Sequence, residues 1–352
     1  MRKPRNVTIQ DVATIAGVST TSVSNYLNGR MQEMRKETQQ RIADAINHLG
    51  YTPNTAARQL KTGKMPILGL LVPSVMNPFY GELAAAVDAA AQRKGFRVLL
   101  CNTQREPERE LSYIQELLAY GVRGIITASI PHDINVMNDL IKRGAAFVLF
   151  ETLAENFKVD QVDFVLTNNS VAAEISVDYL VGLGHSTIAY ATAPLSTPHR
   201  ISRLQGFKDA MQRFKEKTAL IIIPNDIVGK SALHKDAELA QLGHEAAQSL
   251  VDNPARPTAV IAMNDLIALG MMSGFQNLGV KIPDDISVVG FDDMLLASFS
   301  SPALTSVRQP LSKFAETAVD TVCARLADPT RAATTISLDP VIISRASTAK
   351  LK

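Results

Sequence analysis

Residues 8–28 read TIQDVATIAGVSTTSVSNYLN, a pattern of two short helices joined by a tight turn. Thr8 supplies an N-cap hydroxyl, and Asp11 places a carboxylate in the first turn, at the positive end of the helix. Ile9, Val12, Ala13 and Ala16 then share one helical face. Gly17 ends the helix where a left-handed backbone is easiest, and Val18 fills the corner. Ser19 caps a second helix that turns Val23, Tyr26 and Leu27 inward and Thr20, Thr21, Ser24 and Asn25 outward. Small polar groups on an outer face suit the major groove of DNA, where they reach base edges without bulk. An ordinary helical hairpin with a solvated face has the same pattern, so the surroundings must separate the two readings.

The charge distribution favours the first. The 352 residues carry a net charge of +2, but residues 1–64 hold ten Lys/Arg against four Asp/Glu, a net of +6. The remainder is net −4. A basic head on an acidic body implies a polyanionic partner for the head alone. Cys101 and Cys323 are the only cysteines, so no disulfide framework is implied and a reducing cytosol fits. The basic first five residues are followed by polar Thr8 to Asp11, not by an apolar signal segment. No apolar run approaches the roughly 20 residues that cross a bilayer. The expectation is a cytoplasmic chain with no membrane association.

A third helix is expected from about Lys36 to Leu49, packing Ile42, Ala45, Ile46 and Leu49 on the first two, with Gly50 as C-cap. Tyr51-Thr52-Pro53 is extended, because proline disfavours α conformation in the residue before it. Asn54 then caps a short helix through Leu60, about two turns long and too short to be stable alone in water. Leu60 is an apolar residue in a polar linker. It reads as a wedge for the minor groove, or as a dimer contact or a lone exposed leucine.

From Met65 the grammar changes to alternating strands and helices. Ile67 to Val72 is a continuous apolar run, as in a strand buried on both faces. Strands at 96–101, 122–127 and 146–150 follow, with helices between. A link at Val165-Leu166 leads into a second series, with strands at 188–191, 220–223, 259–262 and 286–291. Two such series imply two doubly wound subdomains with parallel sheets. Ligands of such folds bind in the crevice at the carboxyl ends of the strands. The turns there carry Asn77-Pro78-Phe79-Tyr80, Asn102-Thr103, Ser129, Glu151-Thr152, Ser196 to Arg203, Asn264-Asp265, Asp292-Asp293 and Gln309. Aromatics among amides, acids and an arginine suit a sugar, which needs flat stacking for its C–H face and paired polar groups for its hydroxyls. Each residue alone also reads as a turn former or helix cap, Asn77 and Asn264 above all.

Enzyme signatures are missing. No G-x-G-x-x-G follows a strand, and there is no G-x-x-x-x-G-K-[ST] and no G-x-S-x-G. The six histidines lack metal-ligand spacing. Asp292-Asp293 are adjacent after a strand and so point in different directions, one suited to accept a hydroxyl and the other to cap a helix. No catalytic residue, metal or cofactor is expected.

The sum of these residues resembles the lactose/galactose repressor family of bacterial transcription regulators. The head carries TIQDVATIAGVSTTSVSNYLN and TQQRIADAINHLGYTPNTAARQLKTG. The body carries LGLLVPSVMNPFY, GLGHSTIAY, SRLQGFKDAM, AMNDLIALG, KIPDDISVVGFDD and PALTSVRQP. The body also looks like periplasmic ribose- and galactose-type binding proteins. The resemblance implies a helix-turn-helix DNA-binding domain at 1–51, a hinge helix and linker at 52–65, and an α/β effector-binding and dimerisation body at 66–352. Within the body, one subdomain takes about 66–166 and 310–334, the other about 167–309 and 335–352. It places Thr8, Ser19, Thr20, Thr21, Ser24, Asn25, Asn28, Asn54, Ala57 and Leu60 at the DNA, with Thr20, Thr21 and Asn25 reading bases and Leu60 wedged at the operator centre. It places Asn77, Phe79, Tyr80, Glu151, Arg203, Asn264, Asp292 and Gln309 around a sugar, sugar acid or sugar phosphate. Arg203 suits a hydroxyl pair or a carboxylate equally.

The chain departs from the family pattern in four places. Asn25 stands where arginine is frequent, favouring adenine over guanine. Arg35 stands where a serine or threonine usually caps the third helix. Thr152 replaces an arginine of ribose-type sites. No leucine heptad follows the fold, so the implied assembly is a dimer rather than a tetramer. The resulting expectation is a dimeric, allosteric repressor of a carbohydrate operon, bound to a pseudo-palindromic operator. The alternatives are a nucleobase-responsive regulator of the same fold and a solute-binding protein that does not bind DNA.

Overall fold

The computed structural model describes residues 7–27, 29–32, 34–51, 66–128, 134–150, 161–195, 197–214, 218–222 and 238–351. The chain divides into two compact units, Met1–Lys64 and Met65–Lys352.

In the first unit, α1 (Ile9–Ala16) opens with a complete capping box. Thr8 N donates to Asp11 Oδ2 at 2.8 Å, and Asp11 N donates back to Thr8 Oγ1 at 3.4 Å. Gly17 ends the helix at φ +61°, a backbone that a side chain would strain. Ser19 accepts from Ser22 N at 3.1 Å and so starts α2 (Thr20–Leu27). In α3 (Lys36–Leu49), Arg35 at the N-cap position makes no side-chain capping bond, as its departure from the family pattern implies. Val12, Ala13, Ala16, Val23, Ile42 and Ala45 form the core, ringed by Ile9, Val18, Tyr26, Leu27, Ile46 and Leu49. Arg41 of α3 adds a contact the sequence did not announce. Its guanidinium donates to Ala16 O (Nε, 2.9 Å) and Gly17 O (Nη2, 2.8 Å), placing a cation on the negative end of α1.

The second unit is an α/β body of two lobes. The first lobe runs β1 (Ile67–Val72), α4 (Pro78–Arg93), β2 (Arg97–Asn102), α5 (Pro107–Ala119), β3 (Gly124–Thr127), α6 (Ile134–Lys142), β4 (Ala146–Leu149) and β5 (Val162–Thr167). The second runs α7 (Asn169–Gly182), β6 (Thr187–Ala191), α8 (Pro198–Gln212), β7 (Thr218–Ile222), α9 (Leu239–Val251), β8 (Ala259–Ala262), α10 (Asp265–Asn277), β9 (Ser287–Asp292), α11 (Leu295–Phe299) and β10 (Thr305–Arg308). The chain then returns to the first lobe with α12 (Leu311–Ala327) and β11 (Thr335–Leu338), and to the second with β12 (Val341–Ile343). Strand order is β11-β5-β4-β3-β1-β2 in one sheet and β12-β10-β9-β8-β6-β7 in the other. Among the described residues all strand pairings are parallel except β12 against β10.

Two expectations are corrected. Val165-Leu166 is not a link but the middle of β5, paired with β4 and β11. The last changeover lies after Leu338 rather than at 335, because β11 pairs along β5 in the first sheet. The reason for both is a buried ion pair. Asp163 in β5 accepts from Arg325 Nε and Nη2 of α12, both at 3.0 Å, and neither side chain is exposed by more than 3%. That pair ties the returning helix to the first lobe. The three lobe crossings are also laced together: Thr167 donates to Gln309 Oε1 at 2.6 Å, and Asn168 to Asp339 Oδ1 at 3.1 Å.

Candidate functional site

The head presents its sequence-predicted face as expected. Thr21 is exposed, and Thr20, Ser24 and Asn25 are partly so, while Val23 opposite them is buried. Thr8 and Ser19 are exposed and serve as caps. Asn28, Asn54, Ala57 and Leu60 lie outside the described residues.

In the body, the carboxyl ends of both sheets open on one crevice of about 750 Å³, its mouth included. Asn77, Phe79, Tyr80, Arg203, Asn264, Asp292 and Gln309 all line it. Glu151, Thr152 and Ser129 lie outside the described residues. The walls differ by lobe. The first lobe contributes an aromatic chain, with Phe79 edge-on to Tyr80 at 5.2 Å, Tyr80 facing Phe150 at 6.5 Å, and Phe150 edge-on to Phe314 at 5.8 Å. The second lobe contributes the polar wall.

Each polar residue is held from behind. Arg203, on α8, donates through Nε to Asn169 Oδ1 and through Nη1 to Met263 O, both at 2.7 Å. Its guanidinium carbon lies 3.3 Å over the Phe291 ring, which fixes the plane of the fork. Asn77 and Asn264 are both helix caps, accepting from Phe79 N at 3.1 Å and Ile267 N at 3.0 Å. They cap and line the crevice at once, so the two readings of these residues are compatible. Gln309 donates to Asp292 Oδ1 at 2.7 Å while accepting from Thr167, so it bridges a lobe crossing to the crevice wall.

Asp292 and Asp293 point apart, as adjacent residues should. Both have positive φ, +117° and +53°, a strain of about 1–3 kcal/mol each that the surroundings must hold. Asp293 is not a helix cap: its carboxylate pairs with Arg308 and Arg345, each at 2.6 Å. Behind Asp292 lies Asp265, fully buried, accepting from Ser306 Oγ at 2.6 Å and Met294 N at 2.8 Å. Burial, and then the charge of Asp292, push the Asp265 carboxyl well above the ordinary range. Gly290 makes room for it, since a Cβ there would sit 2.1 Å from Asp265 Oδ1. Tyr190, stacked on Phe207, has its phenol pushed up to about 12 by burial, against the lowering pull of Arg203 and Arg200.

The residues fit a regulator assembled from two known parts. Residues 8–54 match the model of bacterial regulatory proteins of the lacI family, and residues 177–348 match a periplasmic binding protein-like domain. The chain is 31% identical over 341 residues to the HTH-type transcriptional repressor PurR of Histophilus somni (strain 129Pt), covering 97% of this chain and 98% of that protein. The chain belongs to the LacI family. The ribose operon repressor of Escherichia coli (strain K12) is 30% identical over 343 residues, 97% of this chain and 99% of its own. The lac repressor dimer bound to operator and the anti-inducer ONPF shares the fold, with a TM-score of 0.81 at 24% identity, covering 98% and 100% of the two chains. As a LacI-family member the protein is a DNA-binding transcriptional regulator and not an enzyme.

Sequence reasoning missed several lining residues of this LacI-family crevice: Arg105, Phe150, Thr167, Asn169, His199 and Arg200. The signal was partly there. Arg200 lies within the turn 196–203 already singled out, and Arg105 is two residues past Asn102-Thr103. Arg105 reaches the crevice from a loop in which it and Gln104 both adopt positive φ, which no propensity suggests.

Proposed function

We propose that this protein represses a carbohydrate-utilisation operon and that a small polyhydroxylated effector in the crevice sets its affinity for the operator. The observation that carries this reading is the division of the walls, aromatic from the first lobe and polar from the second. A sugar is divided the same way, with a C–H face that stacks and a rim of hydroxyls that pair with planar donors and acceptors. The relative that represses the ribose operon supports the same class.

Two heads on a homodimer read the half-sites of a pseudo-palindromic operator in the cytoplasm, Thr20, Thr21 and Asn25 contacting base edges. The second copy is supported by apolar surface left open on the body. The edge strand β2 exposes Leu99 and Leu100, and α11 exposes Leu295, Leu296 and Phe299, the last by 77%. Effector binding changes the angle between the lobes, and the 54–60 segment transmits it to the heads. By linkage, operator DNA changes effector affinity by the same factor, and operator titrations with and without effector assign the sign.

The test is a thermal-shift panel of pentoses, hexoses, sugar acids, disaccharides and nucleobases, since stabilisation grows with the logarithm of ligand over its dissociation constant. A shift from members of the carbohydrate set is expected. The likeness to PurR favours a second reading, a nucleobase effector stacked on Phe79 and Tyr80. Shifts from nucleobases alone would replace the first reading with it.

A further inference from the structure

The turn between β9 and α11 carries three consecutive backbone N–H groups, and a side chain holds each of them. Asp293 N donates to Ser306 Oγ at 3.0 Å, Met294 N to Asp265 Oδ2 at 2.8 Å, and Leu295 N to Glu82 Oε1 at 2.9 Å. Two of the three lead to one residue. Ser306 Oγ donates onward to Asp265 Oδ1 at 2.6 Å, so Asp265 grips Met294 directly and Asp293 through Ser306. Asp265 and Ser306 are fully buried, so water does not compete for these bonds. Removing the carboxylate would leave the buried Met294 N without its acceptor.

The conformation under this grip is strained. Asp292 and Asp293 both adopt positive φ, which a residue with a side chain keeps only when its surroundings enforce it. The Asp292 carboxylate lines the crevice and accepts from Gln309, while that of Asp293 is drawn away by Arg308 and Arg345. Relaxation of the backbone at either residue would re-aim Asp292. Asp265 also follows directly on Asn264, which lines the crevice and caps α10, so it ties two lining residues together. Its place in the first turn of α10 favours an acid. Gly290 of β9 leaves the space that Asp265 Oδ1 occupies, which a Cβ would take.

We propose that Asp265 is the positioning residue of the effector site. It holds the β9–α11 turn in the conformation that aims the Asp292 carboxylate into the crevice. Through Leu295, at the end of that turn, it also sets where the second lobe meets Glu82 of the first. Asp265 does not line the crevice and so acts only through its neighbours. The carbohydrate nature of the effector rests on the reading above; the aim of Asp292 does not.

The experiment reads the turn with and without a ligand. Hydrogen–deuterium exchange of the full-length protein, followed by mass spectrometry, measures opening of the segment 290–298. D265A and S306A are expected to exchange there about tenfold faster than the parent, with the rest of the second lobe unchanged. D265N is expected to stay near the parent, because its amide oxygen accepts from Met294 N while its NH2 donates to Ser306 Oγ. S176A removes a similarly buried hydroxyl of the same lobe, bonded to Ala172 O at 2.8 Å, and is expected to leave the segment unchanged. Calorimetric titration of the same proteins uses D-ribose, D-glucose, D-galactose, adenine and guanine. Each probe that binds the parent is expected to bind D265A and S306A about tenfold more weakly and D265N nearly as well. S306A carries the test if D265A does not fold by thermal unfolding. Parent-like exchange at 290–298 in the folded variants overturns the proposal, as do faster exchange with unchanged affinity, S176A matching D265A, or D265N as defective as D265A. Binding of nucleobases alone overturns the carbohydrate reading and leaves this one to be decided by the same variants. If no probe binds the parent, the exchange rates decide alone.

Discussion

Glu82 Oε1 accepts a hydrogen bond from Leu295 N at 2.9 Å, and the two residues belong to different lobes. Glu82 lies on α4 beside the aromatic wall, and Leu295 opens α11 just past Asp292 and Asp293. A carboxylate at the first N–H of a helix is favourable twice over, as an acceptor for an otherwise orphaned donor and as a charge at the positive helix end.

Removing it should loosen the lobes from each other without disturbing either. A hydrogen bond of this kind contributes about 0.5–1.5 kcal/mol. Glu82→Ala is therefore expected to change effector affinity by about two- to tenfold, with thermal stability nearly unchanged. Small-angle scattering of the free protein should show a more open body, and an unchanged profile with unchanged affinity would remove this contact from any role in closure.

Arg41 gives a prediction for the head. Its bonds to Ala16 O and Gly17 O hold the turn between α1 and α2. Arg41→Met keeps much of the aliphatic stem but loses charge-assisted bonds of about 1.5–3 kcal/mol. Operator affinity measured by fluorescence anisotropy should fall, while effector titration of the same protein stays the same. Equal operator affinity in the variant would show that α2 needs no such support.

Asp265 makes stability depend on pH in a defined direction. Its carboxyl is raised in the folded protein, by burial first and Asp292 second, so the folded state holds this proton more tightly than the unfolded chain. Its contribution is fully present below the ordinary aspartate range and is lost as pH rises through the raised folded value. Asp265→Asn cannot lose that proton. Melting temperature followed from acid to neutral pH should decline less steeply in the variant than in the parent, and parallel curves would remove Asp265 from the account.

Asn25 sets the expected base preference. An amide side chain pairs with N6 and N7 of adenine, whereas arginine pairs with O6 and N7 of guanine. Operators selected from random DNA by the parent and by Asn25→Arg should differ at one position in each half-site, adenine giving way to guanine. Each bidentate pair discriminates by about 1–3 kcal/mol, enough to dominate selection. Identical selected sequences would mean that Asn25 does not touch a base.

The head was almost wholly legible in the sequence because its signals are local. Thr8 with Asp11, Gly17, Ser19 and Gly50 each act within four residues of where they are read. The sheets were legible where strands are continuous apolar runs, as in β1. β5 was not, because Asp163 interrupts its run and the arginine that makes this aspartate tolerable lies 162 residues away. β11 and β12 are short edge strands with alternating or exposed faces, which look like loop. In the crevice, residues following strand ends were found by topology alone. Arg200 and His199 fell within the turn 196–203 that topology placed at the crevice, but within that turn only Arg203 was assigned to the effector.

The interleaving of the two lobes has a consequence for biosynthesis. The first lobe lacks α12 and β11 until residue 338 has left the ribosome, and the second lacks β12 until residue 343. Leu351 N still donates to Leu183 O, so even the last residues close the second lobe. The DNA-reading head, encoded first, is complete some 300 residues earlier. A ribosome that stops short would thus release a reader with no working ligand chamber, so full-length translation is itself a condition for regulation to obey metabolism.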